Sequence, residues 1–341
     1  MPSPLAPPFL LGVLTALLYE RGRRRHMRIV SARHRAGLGW RVLAFWAGLF
    51  TLLLALDSVI DDQADRLFWV HMVQHVLLMM VAAPLFVLAA PWMQIWKGLP
   101  LGARRGLGGA YYRSPGWRAV RSACRRIAAP IPIWILFNLD LCVWHIPALY
   151  GLTLRHQGLH DFEHFSFLLL AVLFWMQVID SPPLRARLGE AQGVVYVLLG
   201  ATVCWLLALV LAFAPSPLYE GYRVLASRPG GLSALADQQL AAGVMLGPGS
   251  IPYALFVFVA LYRWLGSSEF GAGALAGAGE PAPVLSLAGP DRPHRQTHNG
   301  RDGHEVEGDV QDQGRGHGHS RHPSVSGISR PPRSPTDLGP A

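Results

Sequence analysis

Two histidine pairs at helical spacing stand where the chain is apolar enough to cross a bilayer. In Leu67 to Ala90, LFWVHMVQHVLLMMVAAPLFVLAA, His71 and His75 lie four residues apart in a run without formal charge. His160 and His164 repeat the spacing and bracket Asp161 and Glu163 at the mouth of a second apolar run, FSFLLLAVLFWMQVI. His145 closes a third, IPIWILFNLDLCVWHIP. Ionisable groups at membrane depth are costly and mostly kept for function, facing a bundle interior or water. Residues i and i+4 of a helix share a face with their β-carbons about 6 Å apart, which lets two imidazoles bond one metal at about 2 Å each. Met72, Met79, Met80 and Met245 add thioethers, and imidazole with thioether favours copper over magnesium or calcium. Taken singly, each histidine also suits an interfacial or capping place, His160 beside Asp161 most plainly. His71 and His75 together, followed by an uninterrupted apolar run, favour a functional role, and two such pairs in one membrane layer with His145 and Asp237 favour a metal.

Such residues have to be held by helices. Of the 341 residues, 51% are hydrophobic and the mean hydropathy is +0.29, which places the chain among multi-pass membrane proteins. A helix needs roughly 20 apolar residues to span the hydrocarbon core. The sequence predicts an all-α bundle of about seven spans: Pro4 to Tyr19, Leu38 to Leu56, Leu67 to Ala90, Ala128 to Tyr150, Phe162 to Ile179, Gly193 to Pro215 and Leu235 to Leu265. The connection Glu20 to Gly37 is rich in arginine, as is the one from Lys97 to Arg126, whereas the connection holding Asp57, Asp61, Asp62 and Asp65 is acidic. Basic loops stay in the cytoplasm, so the expected N-terminus is outside, the C-terminus cytoplasmic and the location the plasma (inner) membrane. The first span is read as a retained helix, because its arginines follow the apolar run instead of preceding it as in a secretory signal.

The transmembrane part is expected to occupy residues 1–266, and residues 267–341 a disordered cytoplasmic tail rich in Gly, Pro, Arg and His. The tail sequence GHGHSRH has the donors to bind a metal weakly, although low complexity alone accounts for its composition. The net charge of +9 reads as a topology signal plus this tail, and nucleic-acid binding is not expected. Cys124, Cys142 and Cys204 form no CxxC and suggest no disulfide framework.

The topology assigns each polar group a depth. With ~1.5 Å of rise per residue, His71 and His75 fall about one and two turns below the outer surface. His145 ends the outward-running fourth helix. His160 and His164 begin the fifth outside, and Asp237 begins the seventh there. Five histidines and a carboxylate from four helices are therefore expected in one outer layer, with Met245 nearby.

At this point the sequence resembles a known family, the membrane-integral CtaG-type cytochrome c oxidase assembly factors. The resemblance rests on HMVQHVLLMMVAAPLFVLAAP (His71 to Pro91), WHIPALY (Trp144 to Tyr150), LHDFEHFSFLLLAVLFWMQVIDSPP (Leu159 to Pro183) and DQQLAAGVMLGPG (Asp237 to Gly249). One departure is Leu246, where the family pattern usually has Trp. The resemblance implies a non-enzymatic protein needed to mature a haem-copper oxidase, with His71, His75, His145, His160, His164, Asp237 and Met245 as the motif positions. Copper, as Cu(I), is the expected cargo, and an oxidase subunit or a copper chaperone the expected partner. Two other readings fit the same residues. One is a haem-binding membrane oxidoreductase with imidazole axial ligands, and the other is a copper transporter.

Overall fold

The computed structural model describes residues 7–27, 39–113, 115–225 and 228–277, with the side chains of the last helix as far as Gly266. Among these residues every regular element is a helix. Four stretches are long and apolar enough to cross a membrane: Gly39–Ala64, Phe68–Ala89, Glu190–Phe213 and Ala234–Gly266. The pair Gly116–Ile127 and Pro130–Trp144, bent by 74°, makes a fifth if it counts as one span. Of the seven expected spans, the first lies in a helix that continues past Tyr19 into ERGRRRHM, and the fifth in one that starts on the polar QGLHDFEH. The expected tail begins inside a helix, since backbone helicity persists to Gly277. Residues 278–341, with the histidines noted there, lie outside the described residues.

The elements that build the site are named in chain order. They are α1 (Pro7–Met27), α2 (Gly39–Leu56), α3 (Val59–Ala64), α4 (Phe68–Val76), a π-helical segment (Leu77–Ala82) and α5 (Ala83–Ala89). Next come α6 (Trp92–Gly98), the basic α7 (Leu101–Arg113) and α8 (Pro115–Ile127), α9 (Pro130–Trp144), α10 (Pro147–Thr153), α11 (Gln157–Trp175) and α12 (Glu190–Phe213). The short α13 (Glu220–Arg223) precedes α14 (Ala234–Leu246) and α15 (Ile251–Gly277).

The span α4–π–α5 is the axis of the bundle. α14 packs along α4, while α2 and α11 flank the π segment and α5. The π segment leaves carbonyls out of the ordinary i→i−4 ladder, and the Met79 carbonyl accepts a hydrogen bond from Trp175 Nε1 of α11 at 3.1 Å. Pro130 starts α9 at a position where the missing N–H costs nothing. Ser233 caps α14 by accepting from the Ala236 amide. Where α1 crosses α6 the backbones nearly touch: a β-carbon at Gly22 would lie 1.7 Å from the Gln94 carbonyl oxygen, and one at Gly98 2.0 Å from that of Leu18. Small residues at such crossings let membrane helices approach closely.

Two apolar clusters meet at the centre of the axis. One gathers Met79, Phe137, Phe167, Phe174 and Trp175, and the other gathers Phe68, Met72, Tyr150, Tyr222 and Met245. Large apolar side chains, among them Leu199, Phe213, Leu255 and Phe258, stand exposed along α12 and α15. A lipid-facing surface has that character.

Candidate metal centre

Leu67, the residue preceding α4, has no side chain able to cap it. The cap comes instead from α14, where the two oxygens of Asp237 accept from the Phe68 and Trp69 amides at 3.0 Å each. A carboxylate is favoured at a helix N-terminus because the free N–H groups and the helix dipole both attract it. The first turn of α4 is thereby tied to another helix, and the next two turns carry His71 and His75 on the inward face.

The two imidazoles meet with Nε2 atoms 2.9 Å apart. Across from them α11 supplies His160, Glu163 and His164, at i, i+3 and i+4 on one face. Ring centroids of His71 lie 5.1 Å from His160 and 5.8 Å from His164, and those of His75 and His164 are 5.3 Å apart. Glu163 Oε1 stands 3.6 Å from His75 Nε2. One ligand atom each from His71, His75 and His164, and likewise from His71, His160 and Glu163, fall within 4.8 Å of one another. All five residues are buried, His71 and Glu163 completely. His75 packs on Phe167 and His71 on Tyr150, so the centre sits at the seam between the two apolar clusters.

Hydrogen bonding fixes the ring orientation at His71. The Tyr222 hydroxyl donates to the Ala64 carbonyl at 2.7 Å, so at His71 Nδ1, 3.3 Å away, it can only accept. His71 therefore carries its proton on Nδ1 and turns the Nε2 lone pair to the centre, the arrangement usual for a metal-bound imidazole. The remaining polar atoms are short of partners. His75 Nδ1, His160 Nε2, His164 Nε2 and both oxygens of Glu163 are buried without a hydrogen bond. The nearby Thr153 hydroxyl is committed to the Tyr150 carbonyl at 2.8 Å. An unpartnered buried polar atom costs about 1–3 kcal/mol, more when charged, and each one in a native structure calls for an explanation, a bound ion among them.

The sequence-predicted residues divide three ways. His71, His75, His160 and His164 come together. His145 and Met245 line an adjoining cavity, with the His145 ring centroid 6.2 Å from that of His75. Asp237 does not face the histidines; its oxygens are spent on the α4 cap, with Arg228 Nε 3.7 Å away. Lateral position decided this, since residues at equal depth need not be neighbours. Glu163 joins the histidines, although its place at the helix mouth gave it no part in the expected site. Its register with His160 and His164 was the available signal. Gln74, between the paired histidines, faces away and donates to the Ala55 carbonyl and to Asp61, each at 2.8 Å. Asp140 accepts from Trp144 on its own helix and from Ser166 of α11, and takes no part.

Two openings border this region. A cavity of about 30 Å³ adjoins His75 and His145. A larger pocket, about 510 Å³, is walled by Tyr150, Tyr219, Asp65, Arg155 and Glu220, and none of the five histidines lines it.

Comparison with known proteins places these features in a lineage. The family model for the cytochrome c oxidase caa3 assembly factor (Caa3_CtaG) matches residues 17–267. The uncharacterized protein Mb0105 of Mycobacterium bovis is 24% identical over 259 residues, covering 74% of this chain and 38% of the relative. The uncharacterized protein MT0111 of Mycobacterium tuberculosis matches with the same figures. The uncharacterized protein ML1998 of Mycobacterium leprae is 23% identical over 239 residues, 67% of this chain and 35% of the relative. The chain thus spans under two fifths of the length of these curated relatives. No solved structure matches it.

Proposed function

The chain belongs to the cytochrome c oxidase caa3 assembly factor family, and on that premise we propose that it is a non-catalytic membrane protein that holds Cu(I) as cargo between α4 and α11 and passes it to a haem-copper oxidase subunit. The ligands are His71, His75, His160 and His164, with Glu163 supplying the negative charge. The observation that carries this reading is the convergence of His71, His75, His160, His164 and Glu163, with His160 Nε2, His164 Nε2 and both Glu163 oxygens buried without a hydrogen bond. Imidazole nitrogen suits copper well. Ligands divided between two helices can be exchanged one at a time, which release to an acceptor requires. The haem reading has less support: the void adjoining the histidines is about 30 Å³, far below the size of a porphyrin.

The proposal includes the seven-crossing topology in the plasma membrane, with the histidine centre towards the outer face. Its support is the placement of charge. The helices α7 and α8 carry Arg104, Arg105, Arg113, Arg118, Arg121, Arg125 and Arg126, with Tyr112 and Trp117 exposed among them. Basic helices edged with aromatic residues suit the anionic cytoplasmic leaflet.

The test is copper content with the visible spectrum of detergent-purified protein after Cu(I) loading. Wild type is expected to hold copper without haem absorption, and the His71→Ala and His164→Ala proteins to lose the copper bound by these histidines together with oxidase maturation. Unchanged copper and unchanged maturation in both variants would remove the centre from the mechanism. A Soret band would favour haem instead.

A further inference from the structure

The cavity beside the histidine centre has donors of a different chemical kind. It is bordered by Met72, Met79, Met80, Met245, Cys204 and His145, and shares His75 with the centre. His145 is held by a 2.7 Å contact from Nδ1 to the Leu141 carbonyl. A carbonyl only accepts, so the proton is on Nδ1 and Nε2 is a bare lone pair. That lone pair faces Met72 Sδ at 3.4 Å. A thioether has no proton to give, so two electron-pair donors confront each other inside the protein with no hydrogen between them.

A soft cation resolves the confrontation. With metal–nitrogen and metal–sulfur bonds of ~2.0 and ~2.3 Å, a 3.4 Å nitrogen–sulfur separation subtends about 105° at the ion, close to tetrahedral. The Nδ1–H bond to a main-chain carbonyl is also the support that metal-binding imidazoles ordinarily have. The volume of about 30 Å³ admits one small ion. Thioether and thiol donors select Cu(I) over harder or divalent ions. The chemistry differs from that of the imidazole and carboxylate centre beyond His75.

We propose that Met72 and His145, with Met245 and Cys204 around the same cavity, form a second, sulfur-containing Cu(I) site adjoining the histidine–glutamate centre. It rests on the copper reading of that centre and deepens it. His75 borders both, and its Nδ1 is buried without a partner. The ion can exchange a bond to His75 Nε2, the nitrogen beside His71 and Glu163, for one to Nδ1 as bonds to His71 and His164 are replaced by bonds to Met72 and His145, with no change of oxidation state. The chain then has two stations of unlike softness on one path.

The experiment uses the full chain, purified in detergent and loaded with Cu(I) under reducing conditions. X-ray absorption at the copper edge is compared in wild type, Met72→Leu with Met245→Leu, and His71→Ala with His164→Ala. Wild type is expected to bind two equivalents, with nitrogen or oxygen and sulfur scatterers. The leucine variant, which nearly conserves volume, is expected to lose one equivalent and the sulfur shell. The alanine variant is expected to keep the sulfur-bound ion. Selenomethionine-labelled wild type needs no substitution: a copper neighbour at the selenium edge supports the site. A wild type without sulfur or selenium neighbours to copper overturns the second site and leaves the histidine centre standing. Copper unchanged in the alanine variant, with sulfur as its shell, removes the histidine centre and leaves the second site.

Discussion

Glu163 is the one carboxylate among the histidines of the proposed centre. It is fully buried, both its oxygens lack hydrogen bonds, and it stands 3.6 Å from His75. Glu163→Gln keeps the shape and removes the charge. Cu(I) affinity, measured by competition with a chelator, should fall by at least about tenfold, the low end of what loss of a supporting metal contact costs. Tyr222 acts one step further out. It fixes the His71 ring through Nδ1 while donating to the Ala64 carbonyl. Tyr222→Phe should weaken copper binding about 10–100-fold without lowering the number of ions bound at saturation. Equal affinity in wild type and Tyr222→Phe would mean that His71 needs no such support. Gln74→Leu should change copper affinity little, because Gln74 faces α2 and α3.

At the scale of the element, the helix bearing His71 and His75 depends on Asp237. Asp237→Ala removes a cap of about 1–2 kcal/mol and takes the carboxylate away from the half-buried Arg228, whose Nε lies 3.7 Å from it. Thermal unfolding in detergent should show a clear drop for Asp237→Ala and a smaller one for Asp237→Asn, since asparagine caps about as well as aspartate. Equal stability of the alanine and wild-type proteins would show that α4 holds without the cap. This helix also shows what the sequence could and could not reveal. The i, i+4 pairs were legible because 3.6 residues per turn is a local property, and both pairs do face one centre. For Asp237, depth is the only coordinate that the sequence offers. Depth placed it level with the histidines, but packing of α14 on α4 turned it to two main-chain amides. His145 and Met245 were legible as inward-facing, and only the side-chain arrangement separated them into a neighbouring cavity.

For the whole molecule, the helical class and the principal apolar helices could be read from composition and run length. The interruptions differ in kind: the turn between α9 and α10 has a local cause in Pro147, which opens α10, whereas the π segment has a tertiary partner in Trp175, which bonds the Met79 carbonyl. Orientation is testable through Cys124, which is exposed on the basic helix α8. In intact cells a membrane-impermeant maleimide should leave Cys124 unlabelled until the membrane is permeabilised, while Asp62→Cys in the acidic connection should react at once. Labelling of Cys124 in intact cells would invert the topology.

Glu163 also sets a tally of charge. Four neutral imidazoles and one carboxylate sum to minus one, so a monovalent ion brings the centre to zero and a divalent ion leaves an unbalanced positive charge. In a site closed to water, that residual charge carries a penalty of several kcal/mol. On the proposed copper reading, charge balance at this centre favours a monovalent ion. If charge balance governs, protein loaded under reducing conditions sheds metal when an oxidant is added; metal retained as Cu(II) shows that the imidazole and carboxylate donors govern instead.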